Sequence, residues 1–186
     1  MDKSNYHWGV IGNCRSAAVI NELGEIIWLC LPDFDSPSIF ASMLDEERGG
    51  TWGIVTEGEW HITQHYLLQT NILVTRFERA SSEKEKKPDI FELHDFMPRY
   101  RHTARDEYYT APEVIRYIKY ISGMPTFRVK YNPALIYGYE KTVTISHPDY
   151  IKTSSQGNSR ESVYIYSNMD YDEVLGEKEI VLTQDV

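Results

Sequence analysis

Asp33 and Asp35 flank Phe34, and two carboxylates this close in a chain are the residues most able to do chemistry. In an extended strand, residues two apart share a face with Cα atoms about 6.5–7 Å apart. Carboxylates about 5–9 Å apart form the working pair of a glycosidase. Such a pair must reach the glycosidic bond from opposite sides, which near neighbours on one strand rarely do. The run Asp33-Phe34-Asp35-Ser36-Pro37 is also ordinary turn and capping chemistry, and that reading prevails. His61 and His65 have the spacing of metal ligands on a helix, but Trp60-His61-Ile62-Thr63-Gln64-His65-Tyr66 reads as strand. There the two rings stand roughly 13 Å apart, too far for one ion with ligands about 2 Å away. Gly9-Val10-Ile11-Gly12-Asn13 has too few glycines, and no following helix, for a dinucleotide site. No nucleophile elbow or paired-histidine zinc motif is present.

The composition narrows the partners. The chain has 186 residues and a formal net charge of −9, enough for one domain with a real core and too few for two ordinary ones. Negative charge repels a phosphate backbone and an anionic bilayer surface, so neither nucleic acid nor membrane is an expected partner. No stretch approaches the ~20 apolar residues of a membrane span. Met1-Asp2-Lys3-Ser4-Asn5 lacks the apolar core of a signal peptide. Cys14 and Cys30 are therefore read as reduced thiols, and the chain as cytoplasmic.

The residues that could act must be held by strands. Tyr occurs 14 times and aromatics reach 13%, which favours pleated surfaces. Phe127-Arg128-Val129-Lys130-Tyr131, Thr142-Val143-Thr144-Ile145 and Val163-Tyr164-Ile165-Tyr166 alternate with period two,. Residues 72–77 and 114–121 are apolar on both faces in places, as strands between packed sheets should be. Asn21-Glu22-Leu23-Gly24 joins residues 17–20 and 25–31 as a hairpin,. Gly49-Gly50, Glu57-Gly58, Gly123-Met124-Pro125, Asn132-Pro133 and Gly157-Asn158 punctuate further strands at a spacing typical of a sandwich. One short helix is expected from Ser36 to about Asp45. Ser36 is placed to cap it, Pro37 to start it, and Ile39, Phe40, Met43 and Leu44 to line one face. The expected fold is all-β: a large antiparallel β-sandwich with one short helix.

Residues 81–87, rich in Lys and Glu, read as a solvated hairpin loop. Residues 99–111 carry Arg99, Arg101, Arg105, Tyr100, Tyr108 and Tyr109, and read either as a surface loop or as a contact for sugar or another domain. Trp8, Trp28, Trp52 and Trp60 lie in or beside apolar strands, so core packing is their default.

The first half of the chain carries a more specific signal. Gly9 to Ala18 is followed by Gly24-Glu25-Ile26-Ile27-Trp28-Leu29-Cys30-Leu31-Pro32-Asp33-Phe34-Asp35-Ser36-Pro37-Ser38-Ile39-Phe40, then Leu44-Asp45 and Gly49-Gly50. In order and spacing these segments resemble the opening of family-15 glycoside hydrolases, the glucoamylase, glucodextranase and trehalase-like group. Tyr66-Leu67, Thr70 to Phe77 and Asp95-Phe96-Met97-Pro98 look like that family's next landmarks, with weaker echoes at Arg116, Gly123, Pro133 and Tyr137. Asp33 stands where the family often has a basic residue, and the Lys-rich stretch near Lys84 looks like an insertion.

The resemblance implies an N-terminal β-sandwich followed by a linker and a catalytic α/α toroid, in which two Glu residues act as general acid and base of an inverting hydrolase. Neither has a counterpart in residues 1–186, so the whole chain is expected to be the single N-terminal domain, without catalytic residues and inactive alone. The parent enzyme would act on α-glucosidic bonds, on an α-glucan or trehalose, and water as the attacking group requires no metal or organic cofactor. The expected partner is the toroid of the same polypeptide. Asn13, Arg15, Trp28, Asp33, Asp35 and Ser36 are the candidates for the substrate cleft or the domain interface, and turn and capping roles compete for them. A stand-alone carbohydrate-binding module using Tyr100, Tyr108 and Tyr109 is the main alternative. A self-sufficient hydrolase using Asp33 or Asp35, and a structural or oligomerisation module, are the others.

Overall fold

The computed structural model describes residues 7–81, 87–102, 104–105 and 107–186. In chain order its elements are β1 (Gly9–Gly12), β2 (Ala17–Ile20), β3 (Ile26–Cys30), β4 (Ser38–Phe40), β5 (Gly50–Val55), β6 (His61–Tyr66), β7 (Leu73–Arg79) and β8 (Asp89–Phe96). Then come β9 (Tyr100–His102), β10 (Glu107–Tyr109), β11 (Ile115–Ser122), β12 (Thr126–Pro133), β13 (Thr142–His147), β14 (Tyr150–Ser155), β15 (Ser162–Ile165), α1 (Tyr171–Leu175) and β16 (Ile180–Val181). A seven-stranded sheet runs β1-β2-β3-β5-β12-β16, with β4 on β3. A four-stranded sheet runs β11-β8-β7-β6, a three-stranded sheet β13-β14-β15, and β9 pairs with β10. The pairings are antiparallel throughout. The fold is all-β and sandwich-like, as the alternation predicts.

The two larger sheets face each other because each strand turns its apolar residues inward. On β12, Phe127 and Val129 are buried while Arg128 and Lys130 point away. On β8, Phe91, Leu93 and Asp95 are sealed in. One core cluster packs Ile11, Ile20, Ile26 and Phe40 of the seven-stranded sheet on Leu73 and Met97. A second packs Ile54, Phe127 and Val129 on Phe77, Phe91, Leu93 and Ile118, and reaches Ile151 of the three-stranded sheet. Trp52 and Tyr131 pack against both clusters. The Phe77 and Phe91 rings stack with centroids 4.5 Å apart.

The β2–β3 hairpin forms where the sequence places it. Asn21 Oδ1 accepts from the amides of Leu23 and Glu25, and Gly24 takes φ +79°, a conformation glycine adopts at little cost. His61 and His65 lie on strand β6. Among the described residues no group of three or more His, Cys, Asp or Glu side chains could hold a metal ion. No helix among the described residues is long and apolar enough to cross a membrane. Residues 82–86 of the expected hairpin loop lie outside the described residues, while Arg79 and Asp89 pair across it.

The helix lies elsewhere than predicted. Residues 38–40 form β4 instead, with Leu29 opposite Phe40 and Cys30 opposite Ser38. Ile39, Phe40 and Ala41 are all buried, so pairing and burial on both faces override the local helical pattern. Asp45 then turns the chain by accepting from the amides of Glu47 and Arg48. The described α-helix is α1, capped by Asp170, whose carboxylate accepts from the amides of Asp172 and Glu173, as an N-cap should. Five residues are too few for a 3.6-residue period to show in the sequence.

Val186 lies along a sheet margin. Val186 and Ile118 exchange two backbone hydrogen bonds at 2.7 and 2.8 Å, along the open side of β11.

Candidate functional site

Asn13 anchors the place where three chain segments meet. It is fully buried. Its Oδ1 accepts from the amides of Arg15 (3.0 Å) and Ser16 (2.9 Å), which closes the turn after β1 and holds Cys14 at φ 71°. Its Nδ2 donates to the Ala111 carbonyl at 3.1 Å, just after the β9–β10 hairpin. Ser16, also buried, donates its hydroxyl to the Cys30 carbonyl. The turn is thereby fixed both to the end of β3 and to the 99–111 segment.

Arg15 and Asp33 bind the second segment. Arg15 Nε donates to Asp33 Oδ1 at 2.5 Å, Nη2 donates to Oδ2 at 3.2 Å, and the Phe34 amide donates to the Arg15 carbonyl at 3.1 Å. The hydrogen bond from Arg15 holds the Asp33 carboxyl below the ordinary aspartate range and raises the guanidinium in return. Ser36 Oγ accepts from the Asp33 amide at 3.1 Å, so Ser36 closes a loop rather than capping a helix. Asp35 is exposed, and among the described residues its side chain has no hydrogen-bond or ion-pair partner.

The third segment is ordered as a hairpin, with Tyr100 opposite Tyr109 and Arg101 opposite Tyr108. Arg99 approaches Cys14 Sγ at 3.8 Å and lies over the Tyr108 ring at 5.3 Å. Tyr100 and Tyr109 stack at 6.5 Å, and the Tyr100 hydroxyl donates to Glu113 at 2.5 Å. Phe34, Tyr108 and Tyr109 remain about 60% exposed (63%, 63% and 59%).

The arrangement is a surface with a buried polar base and an aromatic and cationic top, which is the make-up of a contact surface. It is not a pair of opposed acids. Both oxygens of Asp33 are engaged by Arg15, and a carboxylate held below its ordinary range by a guanidinium is a poor proton carrier at neutral pH.

Five of the sequence candidates, Asn13, Arg15, Asp33, Asp35 and Ser36, come together here. Trp28 does not. It sits half-buried on the opposite side of β3 from Leu29 and packs against Tyr137, with centroids 6.2 Å apart. Of the other tryptophans, Trp52 packs on Phe40 and Tyr131, and Trp60 on Phe91. The cysteines are free, Cys14 exposed and Cys30 buried, and burial pushes the Cys30 thiol up. What sequence reasoning missed is the Asn13–Ala111 contact, which spans 98 residues of chain. Only the Tyr and Arg content of residues 99–111 hinted at it.

Known proteins share this pattern. The family described as trehalase-like, N-terminal, matches residues 6–159, which include every segment that carries the resemblance up to Tyr137. A trehalase of Thermoplasma volcanium is 34% identical over 146 residues, 76% of this chain and 21% of that protein. A trehalase of Thermoplasma acidophilum is 33% identical over 123 residues, 63% of this chain and 19% of that protein. Trehalase 2 of Sulfolobus acidocaldarius is 29% identical over 165 residues, 89% of this chain and 24% of that protein. The chain thus spans about a fifth to a quarter of the length of these relatives. No solved structure gives a significant match. With most of its length matched by one family, the chain belongs to the trehalase-like N-terminal domain family.

Proposed function

We propose that this chain is the non-catalytic N-terminal domain of an inverting glycoside hydrolase of family 15 that acts on α-glucosidic bonds, trehalose first among its substrates. Its partner is the catalytic α/α toroid of the same polypeptide, and its role is to support that toroid and shape the rim of its cleft. The observation that carries this reading is the Asn13 anchor. A sealed amide fixes its own turn and the 99–111 segment, and Arg15 of that turn holds the 33–36 loop, so that Arg15, Phe34, Tyr108 and Tyr109 stand exposed on a hydrogen-bonded base. Order of this kind lowers the entropy lost on docking. The two unpaired cysteines fit a cytoplasmic setting,.

Reconstitution tests it. The part of the Thermoplasma volcanium trehalase outside the matched region is produced separately and mixed with this chain. A stable complex that hydrolyses trehalose, and that is lost in Phe34→Asp/Tyr108→Ala, supports the reading. Hydrolysis of trehalose by this chain alone, or a complex indifferent to those substitutions, refutes it. The exposed Tyr100–Tyr109 stack favours one second reading, a stand-alone carbohydrate-binding module, which predicts heat of maltooligosaccharide binding that Tyr109→Ala removes.

A further inference from the structure

The three-stranded sheet carries an aromatic surface that the docking site does not use. Pairing sets Ile145 beside Lys152 and Lys152 beside Tyr164, with His147 opposite Tyr150. These side chains share one face, while Ile151 and Thr153 of the same strand are buried on the other. On the outer face His147 stacks on Tyr150 at 4.6 Å, and Tyr150 meets Tyr164 at 5.6 Å and Tyr166 at 6.0 Å. Tyr166 is 73% exposed and Tyr164 44%. His147 also lines an open cavity of about 470 Å³ together with Ser146, Asp149, Ser167, Tyr171 and Asp172. Aromatic platform and polar cavity are thus continuous through one imidazole.

We infer that this surface is a carbohydrate-binding subsite for a short oligosaccharide of glucopyranose rings. An aromatic ring presents a negative face, and the C–H-bearing face of a pyranose is apolar and weakly positive, so the two stack. The hydroxyls at the sugar's rim then need acceptors and donors. The cavity supplies them from the exposed Asp149 and Asp172 carboxylates and the Ser146 and Ser167 hydroxyls. Asp170 at the same rim is already engaged by the amides of α1. Lys152 lies 5.7 Å over the Tyr164 ring; its long flexible stem lets the ammonium swing aside and donate to a sugar hydroxyl. A cavity of this size fits the range for small ligands, about 300–1,000 Å³. The polar lining suits a polyhydroxylated ring better than a protein side chain. The choice of glucose as the sugar rests on the proposed function, whereas the location rests on this surface alone.

The test is a titration of this chain with maltotriose, followed by calorimetry and by backbone amide NMR. Binding is expected to perturb amides of residues 145–150 and 164–172. Tyr166→Ala, at an exposed position where folding is not at stake, is expected to weaken binding about tenfold, and Asp149→Asn to weaken it less. No binding at millimolar maltotriose, binding unchanged in Tyr164→Ala/Tyr166→Ala, or shifts confined to residues 99–111 would each overturn the assignment. None of these outcomes bears on whether the Arg15–Asp33 surface docks a helical domain, which reconstitution decides separately.

Discussion

Arg116 Nε donates to Asp95 Oδ1 at 2.8 Å with both side chains shut away from water, 4% and 0% exposed. Their strands are neighbours, and the two residues are register partners. The same guanidinium donates to Asp95 Oδ2 at 3.1 Å, to the Trp52 carbonyl at 2.6 Å and to the Gly24 carbonyl, and lies 5.0 Å over the Trp52 ring. A side chain of the four-stranded sheet thus satisfies one carbonyl of the seven-stranded sheet, on β5, and one in the β2–β3 turn.

Removing one member of this pair should be far worse than removing both. Arg116→Met leaves a buried carboxylate without its cation, and a loss of about 3–5 kcal/mol is expected in urea denaturation. The Arg116→Met/Asp95→Leu variant should regain much of it. Burial pushes the Asp95 carboxyl up, and in the native protein the guanidinium opposes this. With Arg116 gone the main opposition to that rise is lost, His94 alone still acting against it, so the folded state takes up a proton more readily than the unfolded chain. Arg116→Met should therefore be less destabilised near pH 4 than at pH 7; an equal loss at both would contradict this.

The Arg15–Asp33 pair should show in titration rather than in stability. Asp33 is held below the ordinary aspartate range by its hydrogen bond from Arg15. Its folded value being depressed, the contribution is present above the unfolded aspartate value and is lost as pH falls through the folded one. Carboxyl-detected NMR should find the Asp33 midpoint below that of a model aspartate, and Arg15→Gln should return it upward. Global stability should hardly move, since both side chains are more than 40% exposed (43% and 42%),.

Asn13→Ala removes one donor and one acceptor that serve three hydrogen bonds. A loss of about 2–4 kcal/mol is expected by denaturation, together with faster amide exchange in β9 and β10. Asn13→Asp keeps the acceptor for Arg15 and Ser16 but not the donor to Ala111. It should release the hairpin while preserving the turn.

Tyr131 limits alkaline stability. Burial pushes its phenol up to about 12, against a hydrogen bond with Thr153 that lowers it. A raised folded value means that stability present below about pH 10 is lost as pH climbs towards the folded value, by up to about 3 kcal/mol. Tyr131→Phe should flatten that alkaline decline; spectrophotometric titration of the tyrosines with parallel denaturation curves checks it.

Period-two alternation was enough to read β12, β13 and β15, and runs apolar on both faces in places marked β7 and β11,. The pattern failed at residues 38–40, where Ser38, Ile39 and Phe40 are buried together and both sides of the strand are covered. A continuous buried run carries no period. At the site, the turn chemistry of Asn13 and of Asp33 to Ser36 was legible from residue type. Their meeting with Ala111 was not, since a contact 98 residues apart depends on how sheets stack. In Val163-Tyr164-Ile165-Tyr166 the alternation was seen, but not that the tyrosines take the wet side. Which face of an amphipathic strand turns inward depends on its neighbour, here the buried Ile151 opposite Ile165.

The exchange of two hydrogen bonds between Val186 and Ile118 bears on self-association. An uncovered margin of this length offers a row of unpaired amides and carbonyls to any other extended chain, including a second copy. Val186 occupies the middle of that row, and Asp185 adds a carboxylate that accepts from the Tyr120 amide at 2.8 Å and from the Tyr117 hydroxyl. A polypeptide arriving from outside would have to displace the Val186 backbone and approach the Asp185 carboxylate, so residues 185–186 stand in the way of strand-by-strand association along β11,.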